Sequence, residues 1–224
     1  MTELPPAPTI SSIRLDGDGS GTLSIKLVET RTYEELVEQK TEGNRKTYVY
    51  EQMQARAVNV MRLSSTGILE LRIQSHLNRS QYHEDIKRVW SCMDDFFPEA
   101  KFSRHSLQKL KERIWKNRDT LEGKIRVSDV RLEDDKGFPI TASTPKADSN
   151  LAGHAGAVNS IQAFLDAGAH QKSAGVWWVK QENGIPSTDI HILLSGESNE
   201  FALTATCTKA DYEYVLAQFT RIGL

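Results

Sequence analysis

The sequence has little cysteine, almost no net charge and no long apolar run, and each shortage narrows what the chain can be. Only two cysteines occur in 224 residues. Their spacing is not that of a metal-ligand set, so neither a disulfide framework nor a zinc site is needed to explain a core. Cys92 and Cys207 each fall on the apolar stripe of their own element, where a thiol acts as a small hydrophobe and a thiolate is disfavoured. The expectation is a reducing setting, cytoplasmic or otherwise intracellular. No apolar stretch approaches the ~20 residues a helix needs to span a bilayer, so no membrane partner is expected. Residues 1–9 hold three prolines and one acid but no basic start and no apolar core, which predicts a flexible lead-in rather than a secretory signal. With 28 basic and 30 acidic residues the net charge is -2, the balance of an ordinary globular chain long enough to bury a core unaided.

What is present is strand alternation followed by helical periodicity, and the pattern occurs twice. In residues 67–97, Leu69, Leu71 and Ile73 alternate before Tyr82, Ile86, Val89, Trp90 and Met93 form a helical stripe. In residues 199–222, Phe201, Leu203, Ala205 and Cys207 alternate before Tyr212, Leu216 and Phe219 recur at helical spacing. Further strands are expected at residues 9–15, 21–28, 46–63, 124–132, 175–181 and 189–194, and further helices at 103–118 and 151–167. Strand 46–63 is long enough to carry a bend or bulge. Residues 30–39 read two ways: Thr32 and Glu35 suit a capping box, while Tyr33, Leu36 and Val37 suit extended chain. Asp16-Gly17-Asp18-Gly19 reads as a turn rather than a calcium loop, because no glutamate stands at the twelfth position. Turn residues at 182–184 and 196–198 favour antiparallel hairpins.

Runs of strands followed by helices predict an α+β fold, with antiparallel sheets whose one face is covered by helices. The expected organisation is a lead-in at 1–9, an N-terminal α+β half at 10–132, a polar loop or linker at 133–150 and a C-terminal α+β half at 151–224.

Charge is distributed unevenly. Residues 1–100 hold 12 Lys/Arg against 15 Asp/Glu, residues 101–131 hold 10 against 4, and residues 132–224 hold 6 against 11. On a helical wheel Leu107, Leu110 and Ile114 form the inward stripe, and Lys109, Arg113 and Lys116 fall on the opposite side. Lys111 and Arg118 lie nearer the stripe, where their stems can cover it. Arg104 and His105 add donors near the expected helix start, and Lys124 and Arg126 follow on a strand. Such a face suits a row of phosphates, because the attraction is long-ranged and releases counterions. The bland reading is that lysine and arginine are good helix formers that sit well in water.

Trp177-Trp178 is the other conspicuous pair. Neighbours in a strand point to opposite faces, so one indole should enter the core and the other reach solvent or a partner, but helix 151–167 can cover the outward ring, and burial of both is the favoured reading. The histidines form no ligand set: His76 and His83 lack one-turn spacing, and His154, His170 and His191 are scattered. Glu122 and Lys124, with Asp119 or Asp129, are the only stretch that hints at a metal nuclease, and the spacing fits a helix-to-strand turn better. Gly153-His154-Ala155-Gly156 reads as a helix entry rather than a phosphate loop. No catalytic residue, metal ligand or cofactor is assigned.

The leading expectation is a non-catalytic recognition module. It grips DNA, RNA or another polyanion through Arg104, Lys109, Lys111, Arg113, Lys116, Lys124 and Arg126. The alternative is a protein-interaction or scaffolding domain, in a larger assembly or a homo-oligomer, with its interface around Trp177 and Trp178. A hydrolase or nuclease assembled only in three dimensions comes third.

Overall fold

In the computed structural model, residues 5–16, 21–74, 82–182, 184–194, 199–204 and 207–223 are described. They form an α+β fold of two compact units, Met1–Ser103 and Arg104–Leu224. The expected turns at 16–19, 182–184 and 196–198, together with His76 and Ala205, lie wholly or partly outside the described residues.

The first unit is built on an antiparallel sheet of β1 (Thr9–Leu15), β2 (Leu23–Glu42), β3 (Arg45–Leu63) and β4 (Leu69–Arg72), in that order. Alternation puts Ile25 and Leu27 of β2 on the same side as Met61 of β3. Helix α1 (Tyr82–Met93) lays Val89 and Met93 on them, with Phe97 closing the cluster. The residues at 30–39 are extended, because each finds a cross-strand partner in β3 from Thr30↔Arg56 to Gln39↔Tyr48, except at the bulge. Backbone pairing along a whole strand outweighs one side-chain cap. The bulge expected in the 46–63 strand lies in its partner instead, between Leu36 and Glu38. Gly43, at φ 57°, takes the first place of the two-residue connection between Glu42 and Arg45, the position where a type II′ hairpin turn uses glycine.

The second unit holds a five-stranded antiparallel sheet of β5 (Ile125–Glu133), β6 (Pro139–Ser143), β7 (His170–Trp178), β8 (Ile190–Leu194) and β9 (Phe201–Leu203), in the order β6-β5-β7-β8-β9. Helices α2 (Gln108–Lys116), α3 (Ala155–Asp166) and α4 (Lys209–Gly223) contribute Leu110, Ile114, Ile161, Val215 and Phe219 to a core that also contains Val127, Val176, Trp178 and Ile192. β5 pairs with β6 on one side and with the central strand β7 on the other, and the polar stretch 133–150 carries β6. Residues 125–133 therefore share one sheet with 170–178.

Several details differ from the sequence reading. Helix α2 begins at Gln108, not near residue 103, so Arg104 and His105 precede it. Both cysteines are half-buried rather than in the core, and the Cys92 thiol donates to the Pro8 carbonyl at 3.2 Å. His154 does open a helix: it is the N-cap of α3, with Nδ1 accepting from the Ala157 amide.

Candidate functional site

The seven cations expected to grip a polyanion are distributed over different surroundings. Lys109, Lys116 and Lys124 are exposed, as is Arg104 ahead of the helix. Lys111 is turned inward with 2% of its surface exposed, and its ammonium donates to the Lys172 carbonyl at 2.7 Å. Burial and the neighbouring Lys172 lower its pKa, with Glu112 opposing. Arg113 is half-buried and donates to the carbonyl of Ile222 at 2.9 Å, a cation placed where a helix C-terminus favours one. Arg126 belongs to the sheet, where its guanidinium meets Asp189 at 2.7 Å. The outward row of Lys109, Arg113 and Lys116 therefore fails at Arg113, and the wider outward patch also loses Lys111 and Arg126, each held by a protein acceptor. Glu112 also lies exposed among the remaining cations of α2.

The two tryptophans separate as the strand period requires. Trp178 is 2% exposed in the core, against Tyr214 and Phe219. Trp177 points to the opposite face of the sheet and is half-buried against His191, so the favoured burial of both indoles does not hold. There the register places Arg126, Trp177 and His191 side by side on β5, β7 and β8. The Trp177 and His191 rings stack with centroids 4.6 Å apart, and the Arg126 guanidinium stands 5.9 Å from the indole centroid on the other strand. Thr204, just after β9, completes this row: its amide N–H donates a hydrogen bond to the His191 carbonyl. The adjacent row runs Ser143, Asp129, Gly175, Leu193 and Ala202 across all five strands. Leu193 is 40% exposed there. No such row was legible from linear spacing, because register joins residues 126, 177 and 191.

The centre of this face is a hydrogen-bonded chain. A register shift between Val127 and Asp129 makes Ser128 the extra residue of a bulge. Its hydroxyl donates to Asp129 Oδ2 at 2.8 Å and lies 3.2 Å from His191 Nε2. His191 Nδ1 lies 3.0 Å from the Thr204 hydroxyl. Since the Ser128 proton goes to a carboxylate, the consistent tautomer has Nε2–H donating to Ser128 and Thr204 donating to Nδ1. Burial lowers the His191 pKa below its ordinary value and Asp129 partly offsets this, so the ring is neutral near pH 7. Both ring nitrogens are engaged, and the arrangement orients the imidazole against Trp177. Gly175 is required beneath it: a Cβ there would stand 1.9 Å from Asp129 Oδ2 and 2.5 Å from Ser128 Oγ.

Asp189 anchors the end of the same face. Burial alone would raise its carboxyl, but the Lys180 amide at 2.8 Å and Arg126 outweigh it and hold the pKa low. The Arg126 charge is therefore neutralised at neutral pH.

The first unit contains a buried polar network that sequence reasoning missed. Arg31 donates to Glu29 at 2.8 Å, to Asn59 at 3.1 Å and to the Gln74 carbonyl at 2.7 Å, and it pairs with Asp85 at 3.4 Å. Arg88 of α1 reaches both Asp85 and Glu29. Two acids and two arginines balance, which is the condition for burying charge. The available signal was Glu29 and Arg31 continuing the inward alternation of Ile25 and Leu27, and Asp85 standing one turn before Val89.

The acids considered for a nuclease do not converge. Asp119 and Glu122 are exposed, while Asp129 lies on the sheet face. Among the described residues no group of three or more His, Cys, Asp or Glu is placed to hold a metal ion. No family model, no curated protein and no solved structure matches the chain.

Proposed function

We propose that the chain is a non-catalytic recognition module whose second unit docks a polypeptide partner on the open face of its five-stranded sheet. The observation that carries this reading is the cross-strand row of Arg126, Trp177 and His191 on the side opposite the helices. A tryptophan beside an arginine has the composition of an interface hot spot, and the exposed Leu193 adds apolar area next to it. Nucleic-acid bases are less suited to this face. A base needs an uncovered π-surface, and both sides of the Trp177 ring have neighbours. The nearby cation is already neutralised by Asp189. What remains accessible is indole edge, the Leu193 side chain and small residues, a surface suited to another protein's apolar side chains.

The size of the face sets the strength. Five strands at ~4.8 Å spacing and a few rows of side chains offer about 400 Å². That is roughly half of what one partner contributes to a stable complex, so the reading expects a weak, reversible interaction.

A second reading survives in one observation: Lys109, Lys116 and Lys124 remain exposed. A display selection of peptides against the whole chain separates the two. Selected binders are re-measured on Leu193→Asp, Trp177→Ala and the pair Lys109→Glu with Lys116→Glu. The proposed face requires losses of more than about tenfold in the first two and none in the pair. Binders indifferent to Leu193 and Trp177 overturn it. Oligonucleotide binding that falls steeply with salt and disappears only in the lysine pair favours the polyanion reading instead.

A further inference from the structure

The longest strands of the chain run beyond the sheet they belong to. β1 pairs with β2 only as far as Val28, and β4 pairs with β3 only back to Val60. Past those points β2 and β3 continue together to the turn at residues 43–44. Every residue from 34 to 54 is exposed. Twelve residues of β2 from Arg31 to Glu42 span about 40 Å. A two-stranded ribbon with both faces in water is marginal by itself, which makes a covering partner the natural expectation.

The two faces of this ribbon differ in charge. The register places Glu35↔Glu51, Glu38↔Val49, Lys40↔Thr47 and Glu42↔Arg45 on the face that continues the core side. It carries four acids against two bases. The opposite face carries Glu34↔Gln52, Leu36↔Tyr50, Gln39↔Tyr48 and Thr41↔Lys46, with one acid and one base. On it Leu36 is 45% exposed, Tyr48 47% and Tyr50 56%. Val49 and Met53, each 38% exposed, stand on the acidic face, so the two faces differ in charge rather than in apolar content, and Leu36, Tyr48 and Tyr50 are the large apolar groups free of neighbouring like charges.

We propose that this low-charge face is a dimerisation surface and that its occupant is a second copy of the same chain. The two ribbons lie face to face about a two-fold axis along their length, tips in the same direction. Such an axis exchanges β2 and β3, so each member of a cross-strand pair meets the other member in the second copy. Leu36 of one copy meets Tyr50 of the other, Gln39 meets Tyr48, Glu34 meets Gln52 and Thr41 meets Lys46. No like charges oppose one another, which is the self-complementarity that an isologous interface requires. The acidic faces turn outward, away from each other. The four pairs place eight side chains of each copy at the contact, fewer than the roughly 20–30 residues a side of a standard interface, so the expected dimer is weak and reversible.

The test is sedimentation velocity on the full chain between about 1 and 100 μM, a range that brackets micromolar association. The expected result is a concentration-dependent doubling of the 25.2 kDa mass. Tyr50→Glu and Leu36→Glu should each leave a monomer with unchanged circular dichroism, since both side chains lie outside the core. Glu35→Gln, on the opposite face, should dimerise like the parent. A parent chain that stays monomeric throughout the range overturns the proposal. So does a dimer that survives Tyr50→Glu, or one lost equally in Glu35→Gln.

Discussion

Asp211 shows how much one side chain can organise. Thr208 and Asp211 form a capping box at the start of α4. The Thr208 amide and hydroxyl donate to Oδ2, and the Thr208 hydroxyl accepts from the Asp211 amide. The same carboxylate accepts from the Ser187 amide at 2.7 Å and its hydroxyl at 2.8 Å. The backbone bond from Ser187 is the largest influence, and together these donors lower the pKa to about 2 despite burial. The sign follows from linkage. A carboxyl whose folded pKa lies below its unfolded value near 3.8 stabilises the fold above that value, and loses the contribution as pH falls toward 2. Asp211→Ala should therefore destabilise the chain by about 2 kcal/mol at neutral pH. In urea titrations its gap from the parent should shrink as pH is lowered from about 4 to 2. The spacing of Thr208 and Asp211 is visible in the sequence, but the bond to Ser187 joins positions 24 apart and comes only from folding.

Within the elements, the periodic signal was legible wherever one face is buried against apolar neighbours. Strand β1 spans Thr9–Leu15, β3 spans Arg45–Leu63 and α4 starts at Lys209, all within a residue of the periodicity. The reading was ambiguous in β2, where residues 34–42 are exposed on both faces and no burial constraint shapes their pattern. It was incomplete at Glu29, Arg31 and Asp85, where charged groups occupy inward positions that alternation reserves for apolar ones. These residues are 0%, 8% and 1% exposed. Removing one member of such a network leaves the others buried and unbalanced. Arg31→Met should cost about 3–5 kcal/mol in chemical denaturation. A cost below about 1 kcal/mol would show that the network contributes little beyond filling space.

Across the molecule, each unit holds a buried cluster of its own: one built on Ile25, Leu27, Met61, Val89 and Met93, the other on Val127, Val176, Trp178, Ile192 and Val215. Each unit of the chain has its own sheet and its own helices. The expected outcome is that residues 104–224, expressed alone, unfold in a single cooperative transition with native-like circular dichroism. A fragment lacking a cooperative transition would show that its core depends on the first unit. No helix among the described residues is long and apolar enough to cross a membrane. The sequence by itself determined the α+β class and most strand and helix positions, because periodicity of two or 3.6 residues is a local consequence of where the backbone points its side chains. It also showed the excess of cations at 101–131. Only the tertiary structure decided what those cations do, since the partners of Lys111, Arg113 and Arg126 lie 61, 109 and 63 positions away. Sheet register likewise decided which residues share the open face, because hydrogen-bonded strands bring together side chains that no spacing along the chain relates.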